Sequence, residues 1–357
     1  MVTQKAGPCS RPSPRLVWGL TSGICRLQLP HVLSATTSSM TVHQQSDYTA
    51  HTLNLKAAVF LTIPPVLWAG NAIVGRLVAD MVPPMTLNFL RWAIALLLMA
   101  PFALGFWKQR HVLLAAWPRL ALLGFFGMGC YNSFQYLALK TSTAMNVTLV
   151  AASMPVWVLV IGSLFFGQRV AGKAWAGAAL SLTGVLIVLL RGDLTQISNL
   201  QLVAGDGWMI LATWAWATYS WLLSSPSPAQ AQLKTNWTTY LMAQMLFGVV
   251  WSGLFTSVEW AWPAMQGSAA PSVTWGLPLY AALAYVAAGP ALIAYRCWGS
   301  GIAIAGAATA GFFANLTPLF AAVLSTLFLG EAPHGYHGIA FALIVGGIVV
   351  SNRKSKP

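Results

Sequence analysis

The sequence predicts an all-α integral membrane protein with about ten transmembrane helices, arranged as two inverted five-helix repeats around a central cavity. Three observations carry this expectation: an extreme composition, a succession of long apolar runs, and a likeness between the two halves of the chain. Of 357 residues, 57% are hydrophobic and only 7% are charged, against roughly 25% charged in an ordinary soluble domain. So few charges could not cover a water-facing surface, and lipid must be the solvent for most of the chain. The 17 Trp and 31 Gly agree with this, because Trp collects at membrane interfaces and Gly lets membrane helices approach closely.

The runs follow one another from residue 57. A membrane helix takes roughly 20 largely apolar residues, and such stretches occupy 57–76, 85–106, 119–138, 143–166, 172–190, 203–224, 238–258, 274–295, 305–329 and 335–351. They are continuous, without the alternation that a membrane barrel requires. The chain therefore divides into a polar segment over 1–55, a first repeat over 56–195, a second over 203–352 and a basic tail over 353–357. Ahead of Met40 the polar segment holds Lys5, Arg11, Arg15 and Arg26 but no acid. That bias fits a transit peptide, although a true start at Met40 is the simpler expectation.

Loop charges orient the array. With the N-terminus cytoplasmic, the inner loops hold Lys56, Lys108, Arg110, Arg119, Arg169, Lys173, Lys234, Arg296, Arg353, Lys354 and Lys356. The outer loops hold only Arg76, Lys140 and Arg191. The positive-inside rule then places both termini in the cytoplasm of a bacterial inner membrane. The formal charge of +13 is thus a topology signal, with no basic face for nucleic acid. The four cysteines show no ligand spacing, and neither a cofactor nor a metal is expected. Glu331, His334 and His337 are spaced like weak zinc ligands, but Pro333 interrupts them and no fourth ligand follows.

The halves match at a constant offset. The shift that carries Pro155 onto Pro318 also carries Val160 onto Val323, Gly167 onto Gly330, Gly172 onto Gly335 and Gly184 onto Gly347. Five spans per half is an odd number, so the second copy must sit upside down relative to the first. Each proline removes a backbone donor and frees the carbonyl four residues back, on Ala151 and Ala314. Loose backbone at matching depth points to a midplane binding site, with bending for packing as the plainer reading.

These residues resemble the drug/metabolite transporter superfamily, in its ten-helix EamA group. The likeness rests on VLWAGNAIVGR in the first span, PPMTLNFLRWAIALLL at 83–98 and AGDGWMILATWAWATYSWLL at 204–223. LTPLFAAVLSTLFLGE at 316–331 and HGIAFALIVGGIVV at 337–350 complete it. The resemblance implies a basket of helices with alternating access, and an export bias. In one respect the chain departs from the pattern: the glycine-glutamate pair after the fourth helix of each half survives as Gly330-Glu331, but the first copy reads Gly167-Gln168. A charge there is dispensable in one half, which argues against a coupling role.

The candidate substrate-binding residues are Asn71, Arg91, Asn132, Gln135, Pro155, Trp214, Tyr219, Asn315 and Pro318. Arg91 lies inside the second span, where a cation costs roughly 2.5–3.5 kcal/mol on insertion scales. It either faces the cavity and attracts an anionic group such as a carboxylate, or it bonds backbone carbonyls or snorkels to the headgroups. Amides and aromatic rings suit small organic solutes, with interhelical bonding and lipid-facing packing as their structural alternatives. Asp206 is expected to cap the sixth span. The expected function is a permease for small metabolites such as amino acids, with solute and membrane lipid as partners. The competing class is a membrane-embedded enzyme on lipid-linked substrates. Such an enzyme needs clustered His, Asp, Glu or Ser, and the chain has six acids in all.

Overall fold

The computed structural model describes residues 53–352 except 104, 143, 194, 196, 198–202, 268 and 330–333. The expectations placed on 1–52, on Gly330-Glu331 and on the tail lie outside the described residues, as do the side chains of Arg76 and Asn146. Among the described residues every regular element is helical. Among these residues, eight helical stretches are long and apolar enough to cross a membrane. Their outward surfaces carry exposed Leu97, Phe102, Phe165 and Leu277. Apolar side chains on the outside require lipid there, so the protein is integral to a membrane.

The chain runs through α1 (Leu55–Leu77), α2 (Pro84–Met99), α3 (Arg110–Leu123), α4 (Tyr131–Thr141), α5 (Ala144–Ala151), α6 (Met154–Phe166) and α7 (Gly172–Leu189). It continues through α8 (Ala204–Ser224), a short α9 (Pro228–Lys234), α10 (Trp237–Met265) and α11 (Leu277–Val286). The last three are α12 (Ala294–Phe313), α13 (Leu316–Leu329) and α14 (Gly335–Asn352). The sequence places a break between 295 and 305, but these residues stay helical within α12. The chain turns instead at Gly306, whose φ of 78° and ψ of 162° only glycine adopts readily.

Two further interruptions come in matched pairs. Ala152 and Ser153 separate α5 from α6, and Ala314 and Asn315 separate α12 from α13. The shift that relates the prolines carries Ala152 onto Asn315, so the breaks overlap at that position, and each is followed by one of the two prolines. A proline in a first helical turn lacks only a donor that would be unpaired anyway, so the prolines restart helices rather than bend them.

Wide π turns at Gly124–Cys130 and Ala287–Ile293 obey the same offset, end for end. Widening a helix loosens its internal carbonyl bonding, and side chains from other helices supply donors here. Asn88 Nδ2 and Trp92 Nε1 donate to the Met128 carbonyl at 2.8 and 3.1 Å. Tyr295 Oη donates to the Gly127 carbonyl, and Trp68 Nε1 to the Pro290 carbonyl at 3.3 Å. Gly127 and Pro290 are again partners under the shift, and each is bonded by an aromatic residue from the opposite half of the chain.

Tight packing elsewhere depends on small residues. On α7, a Cβ at Gly177 would lie 2.7 Å from the Gly347 carbonyl oxygen, so α7 and α14 touch backbone to backbone. The start of α2 is capped from α10: Glu259 accepts from the Met85 and Thr86 amides, each at 2.9 Å, and from the Thr86 hydroxyl. A carboxylate suits the unpaired amides and positive end of a helix dipole.

Candidate functional site

A cavity of about 400 Å³ lies between α1, α4 and α8 and is bounded by both helix breaks. Asn71 and Trp68 face it from α1, Tyr131, Asn132 and Gln135 from α4, and Trp216 from α8. The first break contributes Ala151, Ala152 and Met154, and the second Ala314, Asn315 and Pro318. Most of this wall is carbon, with a few amides, the make-up of a site for small organic molecules.

Arg91 stands behind the wall on α2 and is 1% exposed. Its Nη1 donates to Asn132 Oδ1 at 2.8 Å, Asn71 Oδ1 at 3.3 Å and Tyr136 Oη at 3.4 Å. Neither structural expectation for this residue is met, because its partners are neutral side chains and it does not reach the surface. No carboxylate among the described residues pairs with it, and its Nε has no partner there. A buried cation held only by neutral dipoles raises the local potential for anything in the cavity.

That cation also sets the amides. Guanidinium only donates, so Asn132 must present Oδ1 to it and turn Nδ2 elsewhere. This Nδ2 is a buried donor without a protein partner. Asn315 donates through Nδ2 to Ser181 Oγ at 2.9 Å, and its Oδ1 is a buried acceptor without a protein partner. Unpaired buried polar atoms are uncommon and costly. Here both belong to residues that line the cavity.

The floor of the cavity is aromatic. Trp216 contacts five rings, with centroids at 4.8 Å to Tyr131, 5.0 Å to Trp68, 5.1 Å to Tyr219, 5.3 Å to Tyr295 and 5.5 Å to Trp298. Such offset and edge contacts add to simple area burial. Beyond Tyr219 and Tyr295 lies a second cavity of about 300 Å³. It is lined by Lys56, Lys234 and Arg296 as well as by the two tyrosines.

The candidates singled out from sequence therefore separate. Asn71, Asn132, Gln135, Asn315 and Pro318 share the main cavity. Arg91 is one bond away from it. Pro155 is buried next to cavity-lining Met154 but does not itself line the cavity. Tyr219 faces the second cavity, where its hydroxyl donates to Gln244 Oε1 at 3.2 Å. Trp214 is 45% exposed and packs on Trp157, so it faces lipid.

Asp206 sits at the first turn of α8 and accepts from the Val203 amide at 2.8 Å, as a cap does, and from the Ser142 hydroxyl. Of the weak zinc spacing, Glu331 lies outside the described residues, and the His337 ring accepts from the His334 amide at 3.0 Å.

Of the floor, the sequence points to Trp216 and Tyr219 on the sixth span but not to Trp68 or Tyr295. Trp68, Trp216 and Tyr295 are its main components, and helical spacing holds part of the signal. Trp216 and Tyr219 are three apart and share a face, while Trp214 falls on another.

Comparison with known proteins agrees with this picture. The sequence model of the EamA-like transporter family matches residues 55–190 and 203–353. An uncharacterized transporter of Archaeoglobus fulgidus is 27% identical over 304 residues, covering 85% of this chain and 99% of that protein. A probable amino-acid metabolite efflux pump of Escherichia coli is 25% identical over 307 residues, 84% of this chain and 95% of the pump. A probable terminal-alkyne amino-acid exporter of Streptantibioticus cattleyicolor is 22% identical over 238 residues, 67% of this chain and 74% of its own length. One solved crystal structure superposes with a TM-score of 0.63 at 22% identity, covering 82% of this chain and 95% of that one, which speaks for the fold alone. The chain belongs to the EamA-like transporter family, and it is a membrane transporter rather than an enzyme.

Proposed function

We propose that the protein exports small carboxylate-bearing metabolites, such as amino acids, by alternating access between two inverted five-helix halves. The single observation that carries this reading is the main cavity. Both helix breaks meet there, and an arginine buried one bond behind it orients a free amide donor on Asn132. A donor backed by a cation suits a carboxylate. The free acceptor on Asn315, across the cavity, suits an ammonium group. The relatives named as amino-acid exporters and efflux pumps favour the same class.

The constant offset supports the inverted halves, taken as 56–195 and 203–352. It relates the prolines, the breaks, the π turns and the paired carbonyls of Gly127 and Pro290. It also explains the α7–α14 contact: Gly177 meets Gly347, and Gly184 meets Ala340, which is the same pair after exchange of halves. Halves that touch along a two-fold axis can rock about it. On this reading α8, which is not among the eight apolar stretches, is a further crossing, and Gly306 divides the long α11–α12 run into two, which brings the count to ten. Both termini are then cytoplasmic in an inner membrane, in line with the loop charges.

The test is to overexpress the chain and compare extracellular metabolites with those of cells carrying Arg91→Ala or Asn132→Ala at equal membrane levels. We expect selective accumulation of amino-acid-class solutes, reduced about tenfold by either substitution, as loss of a charge-backed hydrogen bond implies. Gel filtration of the purified variants checks that both still fold. Accumulation unchanged by either substitution would remove the Arg91–Asn132 pair from the pathway.

A further inference from the structure

The second cavity differs from the first in carrying charge on its own surface. Lys56 comes from the start of α1, Lys234 from the end of α9 and Arg296 from α12, and among the described residues no carboxylate lines the space they share. Cations in the loops of a membrane protein ordinarily serve topology and stand in water. Two of these do not. Lys234 is half-buried, its ammonium donating to the Leu223 carbonyl at the end of α8. Arg296 is also half-buried, bonded to Ser300 Oγ, with its guanidinium 4.7 Å from the Trp237 ring centroid. Those partners use one of the three Lys234 donors and a minority of the five on Arg296.

Helix capping explains part of this arrangement. Lys234 and Arg119 bond the Leu223 and Ser225 carbonyls, and Gln230 bonds that of Leu222 at 3.2 Å. Positive groups belong at the carbonyl end of a helix. Capping does not account for Arg296, which bonds its own helix, nor for Lys56. Gathering three cations around one cavity with low-dielectric walls costs self-repulsion and concentrates positive potential in the space between them.

We propose that this vestibule is a binding site for an anionic group, a carboxylate or phosphate monoester, seated between Lys234 and Arg296 against Tyr219 and Trp237. Its aromatic surfaces take an apolar remainder, and its cations hold the charge. The vestibule ends on Tyr219 and Tyr295, the far side of the wall that closes the main cavity at Trp216. An anion held here therefore stands on the path to the Arg91-backed amides. The role of loading station for cargo rests on the transport reading above, whereas anion binding itself does not. The anion can come from either of two sources, a free solute or the headgroup of an acidic lipid.

The experiment uses the full chain in nanodiscs of phosphatidylcholine, with radiolabelled phenylacetate as the probe and phenylacetamide as its neutral counterpart. We expect phenylacetate to bind in preference to the amide, and Lys234→Gln with Arg296→Gln to weaken it about tenfold or more. The charge-keeping pair Lys234→Arg with Arg296→Lys should retain most binding, which separates loss of charge from loss of fold. A second arm replaces part of the lipid by phosphatidylglycerol. Competition with phenylacetate there identifies a headgroup as occupant, and unchanged binding identifies solute. Equal binding of the acid and the amide, or binding indifferent to the double glutamine variant, overturns the proposal. If those variants lose phenylacetate binding but still export while Arg91→Ala does not, the loading role fails, and the anion site and the transporter reading both stand. Loss of export in Arg91→Ala with intact phenylacetate binding separates the two sites in the other direction.

Discussion

On one face of Trp216 the lining is carbon and amide; on the other, past Tyr219 and Tyr295, it is phenol and cation. Each cavity has positive charge close by, held in a different way. Arg91 is 1% exposed and reaches the main cavity only through Asn71 and Asn132. Lys234 and Arg296 lie on the surface of the vestibule itself. A guanidinium behind a neutral wall orients dipoles and repels little, which suits a site that must release what it binds. Cations on a cavity surface attract from a distance but hold less selectively. On the transport reading proposed above, the contrast corresponds to two successive tasks, capture and recognition, separated by one aromatic wall.

The sharpest way to break this comparison is to remove the wall. Trp216→Ala deletes the ring that touches five others and joins the two spaces. We expect a loss of about 3–5 kcal/mol, as for other buried tryptophans, visible as a large fall in the thermal midpoint of the detergent-solubilised protein. Trp216→Phe should recover much of it. An unchanged midpoint for the alanine variant would mean that the wall is not a packed unit.

A smaller effect comes from two glycines, one packed against the wall and one lining the vestibule. A Cβ at Gly127 would lie 2.5 Å from Tyr219 Cδ2, whereas one at Gly299, on the vestibule, would meet nothing within 4 Å. Gly127→Ala should therefore cost about 1–3 kcal/mol through overpacking. Gly299→Ala should leave the midpoint where it was or raise it slightly by favouring the helix. Equal effects in the two variants would show that the π turn yields to the tyrosine.

A further effect concerns pH. Burial, helped by nearby Arg119, pushes the Lys234 ammonium down from 10.5 to about 8. Between these values the unfolded chain holds a proton that the folded chain has lost. Stability from this group therefore rises with pH from about 8 to 10.5, and the penalty of the buried charge is constant below 8. The difference in thermal midpoint between the parent and Lys234→Met, measured from pH 7.5 upward, should follow that slope. A difference flat across this range would place the ammonium in water.

Much of the scaffold is legible in the sequence because the bilayer imposes a simple rule. A run of about 20 apolar residues has few alternatives to a helix in lipid. Pro155 and Pro318 likewise mark the two breaks, since a missing amide acts locally. The span end at Gly306 is not legible, because the residues before it are as helical in pattern as those after. Asn132, Gln135 and Asn315 stand out as site candidates because amides at membrane depth have few reasons to be there. Trp214 misleads because residue type says nothing about which way a ring points from a helix that has tryptophan on several faces.

By itself the sequence determined that the chain lives in lipid, that it is helical, and that its halves repeat at one constant offset. These are properties of composition and local period, summed over many residues. The partners of Arg91 are decided only by the tertiary structure: it meets Asn71 and Tyr136 across 20 and 45 positions of chain. The same holds for the wall, where Trp68, Trp216 and Tyr295 come from three distant helices. Ring contacts and shared hydrogen bonds depend on how helices rotate against one another, and that rotation is set by packing of whole faces rather than by any local residue pattern.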